Sequence, residues 1–198
     1  MLTPLDAKRA LRRTVRERLE QLSPESRRVG SERVCAKVEA ELAWSRASTV
    51  LLFVPVGTEI DVAPLLSAGL AAGKSVCLPS YEPQRDAFVP RRILSVSTDL
   101  VEGYRGIPEP RGTLPEVPLE ALDFLIIPGL AFDLEGRRLG RGKGHYDRLL
   151  AFARGVTCGV GYDEQIVPDV PVESHDVKLN MVLSPSHTSG RVLASHKE

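Results

Sequence analysis

The chain has 198 residues, 42% of them apolar, with 26 basic and 26 acidic side chains and so a formal charge of zero. That length suits one domain with a proper core, and a balanced surface has no field with which to hold a nucleic-acid backbone or an acidic membrane, so neither partner is expected. No stretch approaches the roughly 20 apolar residues of a membrane span, the opening MLTPLDAKRALRR has no signal-peptide core, and Cys35, Cys77 and Cys158 show no CxxC spacing; a cytoplasmic protein with buried free thiols is expected.

Thr3-Pro4-Leu5-Asp6 is a helix start, with Thr3 as cap, Pro4 at the first position and Asp6 able to close a capping box. Leu11, Val15, Leu19 and Leu22 follow at helical spacing, which predicts one helix to about Leu22. Ser23-Pro24-Glu25 opens a second, with Val34, Val38 and Leu42 on one face. Thr49–Val54 is a continuous apolar run of β-formers ended by Pro55, as a buried central strand should be. Asp61 can cap a helix through Ala72 that stops at Gly73, and Ser75–Leu78 is another short strand. Strand, helix and strand within about thirty residues make a βαβ unit and imply a parallel sheet.

Ala87–Leu94 reads as an edge strand because Pro90 interrupts it. Residues 103–118 hold four prolines and three glycines and read as a loop. Phe124–Ile127 is a buried strand that leads into a glycine-rich stretch, 128–144, and a helix from His145 to about Arg154. Val156–Val160 and Met181–Leu183 complete the strands, and residues 184–198 read as a mostly polar tail. The expected fold class is α/β, a single-domain, mainly parallel sheet with helices on both faces.

Ligands of such sheets bind beyond the carboxyl ends of the strands, and the stretch from Pro128 to Arg148 leaves one of those ends. Gly140, Gly142 and Gly144 alternate before a helix, so backbone N–H groups can approach an anion, and Arg138, Arg141 and Lys143 add three positive charges. That combination suits a polyphosphate. It is not a P-loop, because Lys143 precedes Gly144 and position 137 is Arg. Asp147 can hold Mg²⁺ against phosphate oxygens, or can simply complement the helix dipole. Lys8 and Arg12 share a helix face at i, i+4 and can either clamp a polyanion or stand in solvent. Glu59 follows the first strand directly and can accept from an amine-rich ring, or be a loop acid beside a helix cap. Four histidines without metal-ligand spacing make zinc an unsuitable reading of His145 and His175, and no nucleophile motif is present.

These residues resemble the 5-formyltetrahydrofolate cyclo-ligase family, from Lys8 to about Leu183. The likeness is carried by Lys8-Arg9-Ala10-Leu11-Arg12, Glu59-Ile60-Asp61, Gly106-Ile107-Pro108-Glu109-Pro110, the block Pro128 to Arg148, Gly161-Tyr162-Asp163-Glu164-Gln165 and His175-Asp176, in that order. The resemblance implies an ATP- and Mg²⁺-dependent ligase that converts 5-formyltetrahydrofolate to 5,10-methenyltetrahydrofolate; ATP and 5-formyltetrahydrofolate are the expected partners, and a monomer is expected. It implies ATP binding by Lys8, Arg12, Arg138, Leu139, Gly140, Arg141, Gly142, Lys143, Gly144, His145 and Tyr146. Folate would meet Val54, Glu59, Arg141, Gly142, Lys143, Gly144 and His145, with Arg141 and Lys143 as the catalytic charges and Asp147 and Asp176 at the metal. His145 stands where the family commonly has tyrosine, and an imidazole there is expected to add pH sensitivity near pH 6–7. Two other readings share the architecture: a sugar-phosphate isomerase or CoA-transferase relative, and a non-catalytic nucleotide-binding protein. The interleaved Arg138, Arg141 and Lys143 with Asp147 speak against the first, and the intact Lys8, Arg12, Asp147 and Asp176 against the second.

Overall fold

The structure is a computed structural model that describes residues 3–173 and 176–190. In chain order the elements are α1 (Pro4–Glu20), α2 (Pro24–Ala40), α3 (Leu42–Arg46), β1 (Thr49–Leu51), α4 (Ala63–Ala71), β2 (Ser75–Glu82), β3 (Ala87–Ile93) and α5 (Val96–Asp99). They continue with β4 (Leu100–Glu102), β5 (Pro108–Pro110), β6 (Phe124–Pro128), β7 (Ala131–Phe132), β8 (Arg138–Leu139), α6 (His145–Leu150), β9 (Val156–Val160), β10 (Met181–Leu183) and β11 (Thr188–Ser189).

Seven strands form the main sheet in the order β11-β10-β9-β6-β1-β2-β3, with the five central strands, β10 to β2, parallel and the two outer ones antiparallel. From β1 the chain crosses through α4 to β2 on one side, and from β6 it crosses through α6 to β9 on the other. Crossovers of one hand that travel in opposite directions put their helices on opposite faces. Between β1 and β6 the direction reverses, so a crevice opens there at the carboxyl ends of the strands.

Alternation along the strands sorts the core. Val50, Phe124, Ile126, Cys158 and Met181 pack with Val15 and Leu19 of α1, Val34 and Val38 of α2, Trp44 of α3 and Leu65 of α4. Leu51, Leu125, Ile127 and Val182 face the other way, where only α6 supplies helical cover, through Leu149 and Leu150, beside Leu122, Phe132 and Leu179 from non-helical segments. Helices thus lie on both faces, but unequally.

Local chemistry explains the boundaries. Thr3 Oγ1 accepts the Asp6 N–H and donates to the Asp6 carboxylate, and α1 ends two residues before Leu22. Leu42 departs from expectation: α2 stops at Ala40, and Leu42 begins the separate α3 with half its surface exposed. The strand β1 is three residues long, though Leu52 and Phe53 stay buried beyond it, while β2 runs four residues past Leu78 because it pairs with β3 along its whole length. At α4, Asp61 Oδ1 accepts the Ala63 N–H. The edge position of β3 is as expected, and residues 115–117 cover it through Arg92 N–H to the Pro115 carbonyl and Val117 N–H to the Pro90 carbonyl.

Three expectations are corrected. The segment 103–118 is not a plain loop, because its second half-turn pairs Pro108–Pro110 with Leu100–Glu102 as an antiparallel ribbon. The last helix stops at Leu150 instead of Arg154. Residues 184–190 are built into the fold, with β11 paired to β10 and Ser184 fully buried; residues 191–198 lie outside the described residues.

Asp163 anchors that C-terminal turn by accepting from the Ser184 hydroxyl, the Ser186 N–H and, at 3.2 Å, the His187 ring nitrogen. Burial alone raises its pKa, but these hydrogen bonds outweigh burial and hold it down at about 2. A depressed carboxylate stabilises the fold above its unfolded pKa of about 3.9, and that contribution is lost as pH falls through the folded value. Wild-type protein is therefore expected to lose stability between about pH 4 and pH 2, and Asp163→Asn to be weaker at pH 7 and to lack this step, as read by urea denaturation across that range.

Candidate active site

The crevice at the sheet's reversal point is a cleft of about 390 Å³ whose floor comes from Phe53 and Val54 beyond β1, Pro79 of β2, and Pro128 and Gly129 at the end of β6. One wall is the loop that carries Arg138, Gly140, Arg141, Lys143 and Gly144, and the other is apolar and aromatic, with Phe88, Tyr104, Ile107 and Pro108. A charged wall facing an aromatic wall suits two ligands of different chemistry, or one ligand with two ends.

The charged loop is held from below. After β6 the chain forms the β7–β8 hairpin, and Asp133 in its turn is fully buried. Its Oδ1 accepts from the Glu135 and Arg137 N–H groups, its Oδ2 accepts from the Val170 N–H, and Arg137 Nε lies 2.6 Å from Oδ2. Gly136 completes the turn at φ +84°, where a Cβ would stand 2.3 Å from the Leu179 carbonyl oxygen; any other residue there displaces the chain. Gln165 donates to the Gly129 carbonyl at 2.8 Å and accepts the Tyr162 N–H, which fixes the end of β6.

On this base Arg138 lies almost wholly buried. It donates to Asp147 Oδ1 and to the Pro128 carbonyl, and its guanidinium sits 5.8 Å from the centre of the Tyr146 ring. Arg12 Nε donates to the Gly140 carbonyl at 3.0 Å, which brings α1 to the loop. Gly142 has φ +102°, a conformation that turns the loop so tightly that only glycine adopts it readily. Lys8 is buried and donates to Glu173 at 2.7 Å and Asp176 at 2.6 Å. Burial on its own lowers the Lys8 pKa, and the two carboxylates outweigh it and raise it.

Across the cleft, Glu59 accepts the Val56 N–H and pairs with Arg141 at 2.8 Å. Burial raises its pKa against the pull of Arg141. Glu109 accepts the N–H groups of Tyr81 and Tyr104, so the proline-rich segment is stapled to β2 with the two tyrosine rings stacked at 4.2 Å. Burial raises the Glu109 pKa too. His145, expected to titrate near pH 6–7, is instead pushed down by burial and by Arg148, with Asp86 opposing.

Of the residues expected from the sequence, Val54, Glu59, Arg138, Gly140, Arg141, Lys143, Gly144, His145, Tyr146 and Asp147 line this one cleft. Arg12 and Gly142 adjoin it through the loop. Leu139 has its side chain in the core and offers only backbone. Lys8 and Asp176 are joined to each other outside the cleft lining. His175 lies outside the described residues. The wall formed by Phe88, Tyr104 and Ile107, the staple Glu109 and the Lys8 partner Glu173 carry no site signal in the sequence beyond Glu109 lying in the Gly106–Pro110 segment.

Among the described residues no three His, Cys, Asp or Glu side chains gather as a metal cage. A magnesium ion held by one carboxylate and phosphate oxygens needs no cage. Asp147, in the cleft beside the cationic loop with its Oδ1 on Arg138, fits that role. Asp176, with its Oδ2 shared by Lys8 and the Glu173 N–H, fits it less directly.

A profile of the 5-formyltetrahydrofolate cyclo-ligase family matches residues 4–185. The 5-formyltetrahydrofolate cyclo-ligase of Mus musculus is 32% identical over 92% of this chain and 95% of its own length, and that of Escherichia coli K12 is 35% identical over 87% and 97%. Among solved structures, the 5,10-methenyltetrahydrofolate synthetase of Aquifex aeolicus superposes with a TM-score of 0.83 at 34% identity, over 96% of this chain and 98% of that one.

Proposed function

Because the chain belongs to the 5-formyltetrahydrofolate cyclo-ligase family, we propose that its cleft binds ATP along the cationic loop and 5-formyltetrahydrofolate against the aromatic wall, and joins N10 to the formyl carbon at the expense of ATP. The observation that carries this reading is the pairing of Arg138, Arg141 and Lys143 with a facing wall of Phe88, Tyr104 and His145 in a single cleft.

In this reading the γ-phosphoryl group passes to the formyl oxygen and ADP leaves. N10 then attacks the activated carbon, the C–O bond breaks, phosphate departs and the N10 proton is lost, which leaves the 5,10-methenyl bridge. No protein nucleophile is needed, and positioning and charge stabilisation supply the rate. Arg141 and Lys143, both solvent-exposed at the cleft, are placed to meet negative charge that develops on the transferred group. Arg138 is the fixed charge beneath them, and Arg12 holds the Gly140 backbone. Lys8 would reach phosphate by exchanging its hold on Glu173 and Asp176. Bound magnesium would neutralise phosphate charge, and Asp147 is the carboxylate placed to hold it.

Glu59 is the acceptor for the amino and ring N–H groups of the pterin. Glu59→Gln is expected to raise KM for 5-formyltetrahydrofolate by about 10–100-fold, the worth of one charge-assisted hydrogen bond, and to change KM for ATP far less. Equal changes in both would remove Glu59 from the folate side. The reaction itself is tested by incubating the protein with ATP, Mg²⁺ and 5-formyltetrahydrofolate and following the near-ultraviolet absorbance of methenyltetrahydrofolate; no ATP-dependent rise defeats the assignment. The three free cysteines are buried, in keeping with a protein that works in the reducing cytoplasm.

A further inference from the structure

His145 is about nine-tenths buried, and three rings surround it, with centroids at 5.4 Å for Tyr81, 5.1 Å for Phe88 and 6.0 Å for Tyr104. Its Nδ1 lies 2.8 Å from Nη2 of Arg148. A guanidinium has donors only, so Nδ1 must accept, and an imidazole that accepts at Nδ1 carries its hydrogen on Nε2. Arg148 is itself braced, because the same Nη2 donates to the Asp86 carbonyl at 2.6 Å and lies 3.4 Å from the Asp86 carboxylate. The Tyr81 hydroxyl donates to that carboxylate at 2.8 Å. The Asp86 carbonyl, which accepts from Arg148 and also lies against the imidazole, is the acceptor that competes for a proton on Nδ1; Arg148, with donors only, sets the outcome at that nitrogen.

Opposite this network, Nε2 is buried with no hydrogen-bond partner among the described residues, although His145 lines the cleft. Protein interiors seldom leave a donor unpaired; this one is closed to solvent among the surrounding rings, so an acceptor on a ligand in the cleft meets it once those wall residues give way on binding. A tyrosine hydroxyl at this position would swing freely between donor and acceptor. The imidazole, held from behind, can only donate.

We propose that Arg148, braced by Asp86, locks His145 in the Nε2–H tautomer, and that this N–H donates to an acceptor oxygen or ring nitrogen of the folate. His145 is then a binding residue and Arg148 a positioning residue. The identity of the ligand rests on the cyclo-ligase reading, whereas the tautomer does not.

The test has two arms. Nitrogen-15 NMR of the ligand-free full-length protein, with the His145 signals identified by their loss in His145→Gln, is expected to show a protonated Nε2 and a bare Nδ1. A protonated Nδ1 overturns the proposal. Arg148→Ala, at a half-exposed side chain, is expected to abolish this preference, and a pattern like wild type overturns the role of Arg148. In the second arm, affinity for 5-formyltetrahydrofolate is measured by calorimetry. His145→Asn, whose amide reaches only the Nδ1 position, is expected to bind about 10-fold more weakly. His145→Gln, whose amide reaches the Nε2 position, is expected to recover most of the loss. Equal affinity in all three proteins overturns the donor role. Failure of the wild-type protein to bind 5-formyltetrahydrofolate counts against the ligase reading, and the nitrogen spectra still decide the tautomer.

Discussion

Asp147→Asn is expected to lower ATP-dependent turnover by about 100-fold or more, a loss typical for removal of one preorganised charge from a reacting site. Thermal stability should change far less. The asparagine keeps an oxygen for Arg138, so the nearly buried guanidinium is not left without an acceptor. The cost is the charge alone, about 1–2 kcal/mol for a side chain that remains one-fifth exposed, or a few degrees in Tm for a chain of this size. A carboxylate that merely complements the end of α6 would show the reverse pattern, a small loss of stability and unchanged turnover. Steady-state rates at saturating ATP, set beside melting curves, separate the two.

The second large effect is expected at a residue that touches no ligand. Asp133→Ala removes the acceptor of three backbone N–H groups and one of the two carboxylate partners of Arg137, the other being Asp169, in a turn where the Asp133 carboxylate is fully buried. Each stranded buried N–H costs about 1–3 kcal/mol, so the loss is expected at about 3–5 kcal/mol, while Arg137 keeps Asp169. Asp133→Asn retains one acceptor oxygen and should lose roughly half as much. Urea denaturation reads both, and an alanine variant with an unchanged midpoint would show that the turn satisfies its N–H groups by other means. Because this hairpin carries β8 and Arg138, the alanine variant should also lose turnover under conditions where it is still folded.

Much of this was legible in the residues before any coordinates. Thr3 and Ser23 mark the starts of α1 and α2 because a hydroxyl before proline has one common use, and both accept the N–H three residues on. The apolar run at Phe124–Ile127 is a central strand because both of its faces are buried. The charged loop announced itself through glycines and cations packed into a few positions. What stayed hidden is long-range. Nothing local joins Lys8 to Glu173, or Glu109 to the Tyr81 backbone, since those contacts exist only after the chain has crossed the sheet. Leu42 fits the helical spacing of α2, yet α2 ends at Ala40, and the residue falls at the exposed start of α3. The aromatic wall was obscured by composition: Phe88 and Tyr104 sit in segments rich in proline and charge, and only the folded chain places them beside His145. Nothing local to His145 in the sequence shows that a guanidinium is held against one of its nitrogens.

Unequal cover of the sheet sets where the molecule can breathe. The face beneath α1 to α4 is sealed by four helices, two of them of 17 residues, so its amides should open only with the whole fold, whereas the opposite face depends on a six-residue helix and non-helical segments. Hydrogen exchange is thus expected to be slowest in β6, β1 and β9 and markedly faster in 100–110 and 140–150. Those fast segments are the same ones that border the cleft, so substrates can enter and products leave by local opening on one side, while the helical face keeps the chain folded throughout each turnover.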